Sequence, residues 1–246
     1  VATAHHDFVF VVTYGRSGST LLQGLLNTLP ETLIRGENRL YPLQLFRAHD
    51  QLGRHRQTFN RPATRRPSSA FYGLDECDLD AFARDAGDLV ARQLLGEADR
   101  GDVKRLGFKE VGWHRVRPQE TEGFFAFLDV AFDMPRFILN QRAVEETRRS
   151  GFWREKEPEL VTEKVGRVQE IQEWLRRTRP DRVLDVRYES FTAKKKAVVE
   201  TELERLARFV VGEVDPAVME ALRTTLAIPH GPSPFGGSPA TAPTRT

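Results

Sequence analysis

Arg16-Ser17-Gly18-Ser19-Thr20 brings one guanidinium, three hydroxyls and a glycine together within five residues. The segment follows the uncharged run Phe8-Val9-Phe10-Val11-Val12, which reads as a short buried strand. It precedes Leu21-Leu22-Gln23-Gly24-Leu25-Leu26, which opens a helix. A strand, a glycine-containing turn and a helix N-terminus together form a cradle for an anion. Backbone N–H groups point outward there and the helix dipole favours negative charge. Arg16 adds a fixed cation, and the hydroxyls of Ser17, Ser19 and Thr20 add donors. The ligand class implied is a phosphate or sulfate ester. The same residues also read as a plain strand-to-helix turn capped by serine. The nucleotide-triphosphate loop G-x-x-x-x-G-K-[ST] fits poorly, because Gly15 and Gly18 are too close and no lysine precedes Ser19 or Thr20.

Arg-Ser-Gly-Ser-Thr-Leu-Leu after an apolar strand resembles the 5′-phosphosulfate loop of the sulfotransferases that use 3′-phosphoadenosine 5′-phosphosulfate (PAPS). The resemblance implies that Arg16 takes the family's Lys/Arg position and that Ser17, Gly18, Ser19 and Thr20 wrap the 5′-phosphate. A second segment, Arg136-Phe137-Ile138-Leu139-Asn140, reads as a strand leading to Arg142, with Ser150 eight residues further on. Eight residues make just over two helical turns, so the pair is expected on one side of a helix. In the family an Arg and a Ser with this spacing grip the 3′-phosphate. Taken alone, Arg142 also reads as a solvated arginine at a helix start.

Gly36-Glu37 resembles the Gly-Glu motif of the tyrosylprotein and some bacterial and carbohydrate sulfotransferases. The resemblance makes Glu37 the general base that takes the proton of an attacking hydroxyl; otherwise Glu37 reads as a helix N-terminal carboxylate. Lys109, in Gly107-Phe108-Lys109-Glu110-Val111, takes the place of a lysine that neutralises charge on the transferred group. The small-molecule branch carries a histidine two residues after that lysine. Here Val111 stands there, a departure that favours Glu37 as the base, with Glu110 and His114 as competitors. Tyr188, in Asp185-Val186-Arg187-Tyr188-Glu189, matches the family's adenine-contacting tyrosine, and reads equally as a half-buried strand tyrosine. The family's basic, glycine-rich C-terminal clamp has no counterpart in Pro229-His230-Gly231-Pro232-Ser233-Pro234-Phe235-Gly236-Gly237.

These residues need strand ends to hold them. The expected fold class is α/β, a single P-loop-like doubly wound parallel sheet flanked by helices, with the site at the carboxyl ends of the strands. A domain is expected over 1–228, with a Pro/Gly-rich tail over 229–246. The chain's 246 residues suffice for one such core. Apolar stripes predict helices over Asp78 to Leu95 (Leu79, Phe82, Ala86, Leu89, Val90), over Gly123 to Leu128, over Glu163 to Arg177 and over Glu200 to Val211. Arg54 to Arg66 is a basic, proline-interrupted stretch, read as a solvated loop or as a flap. Trp113, Trp153, Phe124 and Tyr41 are candidates for an apolar acceptor pocket or for core.

A net charge of +2 is too balanced for a dedicated nucleic-acid binder. Cys77 is the sole cysteine, which excludes an intrachain disulfide. No long apolar run is present, so a cytoplasmic address is expected and no membrane partner. The combined expectation is in-line transfer of a sulfuryl group from PAPS to a hydroxyl acceptor, without a metal. Arg16, Glu37 and Lys109 are the catalytic candidates. A small-molecule kinase using ATP and a non-catalytic nucleotide-binding module are the alternatives. The acceptor and the oligomeric state are left open.

Overall fold

The computed structural model describes residues 6–98, 102–149 and 151–228. Within them five strands form one parallel sheet: β1 (Asp7–Val12), β2 (Thr32–Arg35), β3 (Arg105–Glu110), β4 (Arg136–Gln141) and β5 (Val183–Arg187). Their order across the sheet is β2-β3-β1-β4-β5. The helices are α1 (Ser19–Thr28), α2 (Pro42–Phe59), α3 (Leu79–Leu95), α4 (Thr121–Ala131), α5 (Val144–Arg148), α6 (Pro158–Thr178), α7 (Tyr188–Phe191), α8 (Lys196–Val211) and α9 (Pro216–Ala227).

Strand alternation divides the core into two layers. Phe10 and Val12 of β1, Phe108 of β3 and Phe137 and Leu139 of β4 pack against α2, α3, α4 and α6. Val9 and Val11, Ile138, and Leu184 and Val186 of β5 pack against α1, α8 and α9 on the opposite face. Both faces are therefore covered, as a parallel sheet requires. The doubly wound α/β expectation holds. β1 lies at the centre, with the chain running first to the β3–β2 edge and then to the β4–β5 edge. The crevice at such a reversal is where this class of sheet binds ligands.

Some local readings need correction. Helix α3 does begin after Asp78, whose carboxylate accepts from the Ala81 N–H. Its buried face, however, is Ala83, Ala86, Gly87, Val90, Leu94 and Leu95, and Leu89 is exposed. The reason is a close approach to α4: a Cβ at Gly87 would stand 1.8 Å from the Ala131 carbonyl oxygen. Small residues form that contact, so a stripe drawn through the larger apolar side chains points slightly askew. Helix α9 was not anticipated, although Asp215 caps it through the Val218 N–H and Pro216 opens its first turn. The tail expected over 229–246 lies outside the described residues.

Candidate active site

The turn after β1 runs through Arg16 (φ 64) and Gly18 (φ 78), both left-handed. Gly18 is the N-cap of α1, rather than a serine. Glycine is required there twice over, because any Cβ would also stand 2.0 Å from Cδ2 of the Tyr188 ring. The carbonyls of three successive residues are held by side chains. Trp153 Nε1 donates to Gly15 O at 2.8 Å, Arg142 Nη1 to Arg16 O at 3.3 Å, and Asn140 Nδ2 to Ser17 O at 3.2 Å. In a trans peptide the next residue's N–H points opposite to the carbonyl. Holding these carbonyls therefore turns the N–H groups of Ser17 and Gly18 to the other side. Among the described residues, no turn, loop or cap hydrogen bond uses the N–H of Ser17, Gly18, Ser19 or Thr20. The geometry is that of an anion-accepting turn at a helix N-terminus.

The hydroxyls behave less uniformly than their spacing implied. Thr13 donates to Asn140 O at 3.1 Å, which uses its one proton. The 2.6 Å contact between Thr13 Oγ1 and Ser17 Oγ is therefore donated by Ser17, and Ser17 Oγ in turn accepts from Asn140 Nδ2 at 3.0 Å. The buried Ser17 side chain is committed to the interior, and its N–H stays outside that network. Thr20 is exposed and Ser19 is buried in the first turn of α1.

Glu37 lies just beyond β2, and Lys109 is the penultimate residue of β3. Lys109 Nζ donates to Glu37 Oε1 at 2.7 Å. Lys109 is buried, whereas the Glu37 side chain is 49% exposed. The two residues expected to act together are thus in contact, the lysine from below and the carboxylate open above. Strand β3 is hydrogen-bonded to β1, with Val12 opposite Glu110, so the pair adjoins the Arg16 turn.

The competing bases are placed differently. Glu110 is buried and accepts from four backbone N–H groups, those of Asn38, Leu40, Val111 and Gly112. A carboxylate so occupied has no lone pair to offer an acceptor hydroxyl. His114 is half-buried, and its Nδ1 lies 3.3 Å from Val111 O. A carbonyl only accepts, so Nδ1 carries the proton. Burial, and then the Lys164 charge, push its pKa below the ordinary histidine value.

On the other side of β1, Arg142 and Tyr188 meet. The guanidinium carbon of Arg142 lies 4.6 Å from the Tyr188 ring centroid, and Tyr188, the first residue of α7, covers Gly18. Tyr14 fixes the Arg142 backbone: its hydroxyl donates to Arg142 O at 2.6 Å and accepts from Arg142 N at 2.9 Å. Burial raises the Tyr14 pKa, against the opposing effect of the Arg142 N–H, and keeps the phenol proton available for that bond. Glu189 Oε1 accepts from the Ala143 N–H at 2.8 Å. The two-turn helix expected to align Arg142 with Ser150 is absent. Helix α5 spans only Val144–Arg148, after Arg142, and Ser150 lies outside the described residues.

Trp153, Asn140, Gln172 and Tyr14 were missed as contributors. Gln172 Nε2 donates to Val12 O at 2.8 Å and to Asn140 O at 3.3 Å. A glutamine in the apolar stripe of α6, and an asparagine ending an apolar strand, were visible signals; Trp153 had none. Of the residues read as acceptor pocket or core, Trp113 and Phe124 are fully buried core residues, and Trp153 is buried against the turn. A cavity of about 420 Å³ lies elsewhere, between α2, α3 and α4 around Phe46, His49 and Phe127.

No family model matches this chain, and no curated protein matches it. A solved structure, the sulfotransferase domain from the Synechococcus PCC 7002 olefin synthase, is similar over 90% of this chain and 90% of that one, at 18% identity and a TM-score of 0.47.

Proposed function

We propose that the protein is a PAPS-dependent sulfotransferase acting on a hydroxyl. The observation that carries the reading is the contact of Lys109 with Glu37 at 2.7 Å, on the strand adjoining an anion-accepting turn. The turn suits the 5′ end of such a cofactor because held carbonyls direct its N–H groups to one side. When bound, PAPS supplies an activated sulfuryl group on a phosphate leaving group.

The N–H groups of Ser17, Gly18, Ser19 and Thr20, with Arg16, would hold the 5′-phosphate and would stabilise negative charge on it. Arg142 and Tyr188 hold the nucleoside side. Glu37 accepts the proton of the acceptor hydroxyl as that oxygen attacks sulfur. Lys109 stabilises charge on the sulfuryl oxygens and orients Glu37. Positioning supplies much of the barrier reduction, as in phosphoryl transfer.

Calorimetry with 3′-phosphoadenosine 5′-phosphate (PAP), ADP and ATP, with and without magnesium, tests the reading. Metal-independent binding of PAP that needs its 3′-phosphate is expected. Arg142→Ala should weaken PAP by about 2–3 kcal/mol, the size of a charged hydrogen-bonded contact. Preference for ATP with magnesium would replace the transferase with a kinase.

A further inference from the structure

Lys109 and Glu110 are consecutive on β3, so their side chains leave opposite faces of the sheet. Lys109 reaches Glu37. Glu110 reaches the residues just after Glu37. Its Oε2 accepts from Asn38 N at 3.0 Å and from Leu40 N at 2.9 Å, an N–H it shares with Asn38 Oδ1 at 2.9 Å. Its Oε1 accepts from Val111 N at 2.8 Å and Gly112 N at 2.7 Å. Between the two held N–H groups, the Arg39 carbonyl accepts from Arg115 Nη1 at 3.1 Å. Three backbone groups of the 38–40 segment, one from each residue, are therefore gripped by side chains from β3 and the turn that follows it.

The segment requires such a grip. Arg39 (φ 60) and Leu40 (φ 52) are both left-handed, a conformation that side-chain-bearing residues hold only when their surroundings impose it. On the other side, Asn27 pairs with both the N–H and the carbonyl of Ile34 in β2. Glu37 lies between these two anchors.

We propose that Glu110 is a positioning residue: it fixes the strained 38–40 turn and so presents Glu37 to Lys109. Its bearing on turnover rests on Glu37 being the base in the reading above. Glu110 takes no proton from substrate. The carboxylate is needed as a double acceptor on each side. An amide of the same shape turns an NH₂ toward one pair of N–H donors, and that pair is lost.

The test is Glu110→Gln, alone and with Glu37→Gln, in the full chain. Transfer from PAPS to umbelliferone, PAP affinity, and amide hydrogen exchange at Asn38 and Leu40 are measured. Expected for Glu110→Gln are a kcat lower by roughly 10–100-fold, the scale of a small misplacement, and PAP affinity within about twofold of the parent. Exchange at Asn38 and Leu40 should accelerate about tenfold or more, with β1 amides unchanged. In the Glu37→Gln background the second substitution should cost little further, because the turn then presents no base. Arg115→Ala, at an exposed side chain, should show the same pattern more weakly, and carries the test if Glu110→Gln does not fold. Unchanged exchange at Asn38 and Leu40, a normal kcat, or losses that multiply in the double variant would overturn the proposal. A parent that transfers no sulfuryl group to umbelliferone shows only that this phenol is not its acceptor, and amide exchange at Asn38 and Leu40 then decides by itself whether Glu110 holds the turn.

Discussion

Adjacent carboxylates and cations divide the work at this site by the face on which they emerge. Glu110 and Lys109 differ by one position, yet one is saturated by backbone N–H groups and the other meets a half-exposed carboxylate. Under the proposed function, Glu37→Gln keeps the shape and removes the basic oxygen. It should lower kcat by about 10²-fold or more while leaving PAP affinity near the parent value, read by steady-state transfer and calorimetry. Turnover at the parent rate would take Glu37 out of the reaction. The placement of Glu37, Lys109 and the Arg16 turn at strand ends was legible, because a short strand could be read at or before each. The fate of the Ser17 proton was not, since it depends on Thr13 and on Asn140 from a strand more than a hundred positions away.

The strands emerged from the sequence more faithfully than the helices. β1 and β4 are built around the apolar runs Phe8 to Val12 and Phe137 to Leu139 of a doubly covered sheet, and one end of each strand was misplaced by one residue. Helix faces depend on how near the neighbour comes. At the α3–α4 contact, Gly87 lies against the Ala131 backbone, which no periodicity rule weighs. Gly87→Ala should therefore destabilise the fold by about 1–3 kcal/mol through overpacking, despite alanine's better helix propensity. Denaturant unfolding measures this, and a stabilised variant would show that the two helices separate at little cost. Helix α5 ends after five residues for lack of a sustained apolar stripe in Val-Glu-Glu-Thr-Arg, a pattern on the page that the spacing argument for Arg142 overlooked.

Across the whole molecule, strand order assigns sides that linear order conceals. Glu37 follows β2 and Lys109 lies in β3, while Arg142 and Tyr188 follow β4 and β5, and β1 with its turn lies between. Under the proposed function, nucleotide and acceptor approach the central turn from opposite edges. The order β2-β3-β1-β4-β5 is a tertiary property, and the short motifs could suggest it only through resemblance. The two apolar layers keep this layout rigid, with Phe10 and Val12 facing one helix layer and Val9 and Val11 the other.

Under the proposed function, the bond from Trp153 to the Gly15 carbonyl gives the protein an optical reporter of its anion-accepting turn. The chain has three tryptophans. Trp113 and Trp174 pack on Phe125 in the core, with ring centroids 5.9 Å and 5.2 Å away, and only Trp153 is tied to the turn. Adding PAP should change the intrinsic emission of the parent, and Trp153→Phe should abolish that change while leaving the emission of the two core indoles. A ligand response that survives in Trp153→Phe would mean that occupancy of the turn is not transmitted through this indole. The expected outcome would allow binding to be followed by fluorescence titration without any label.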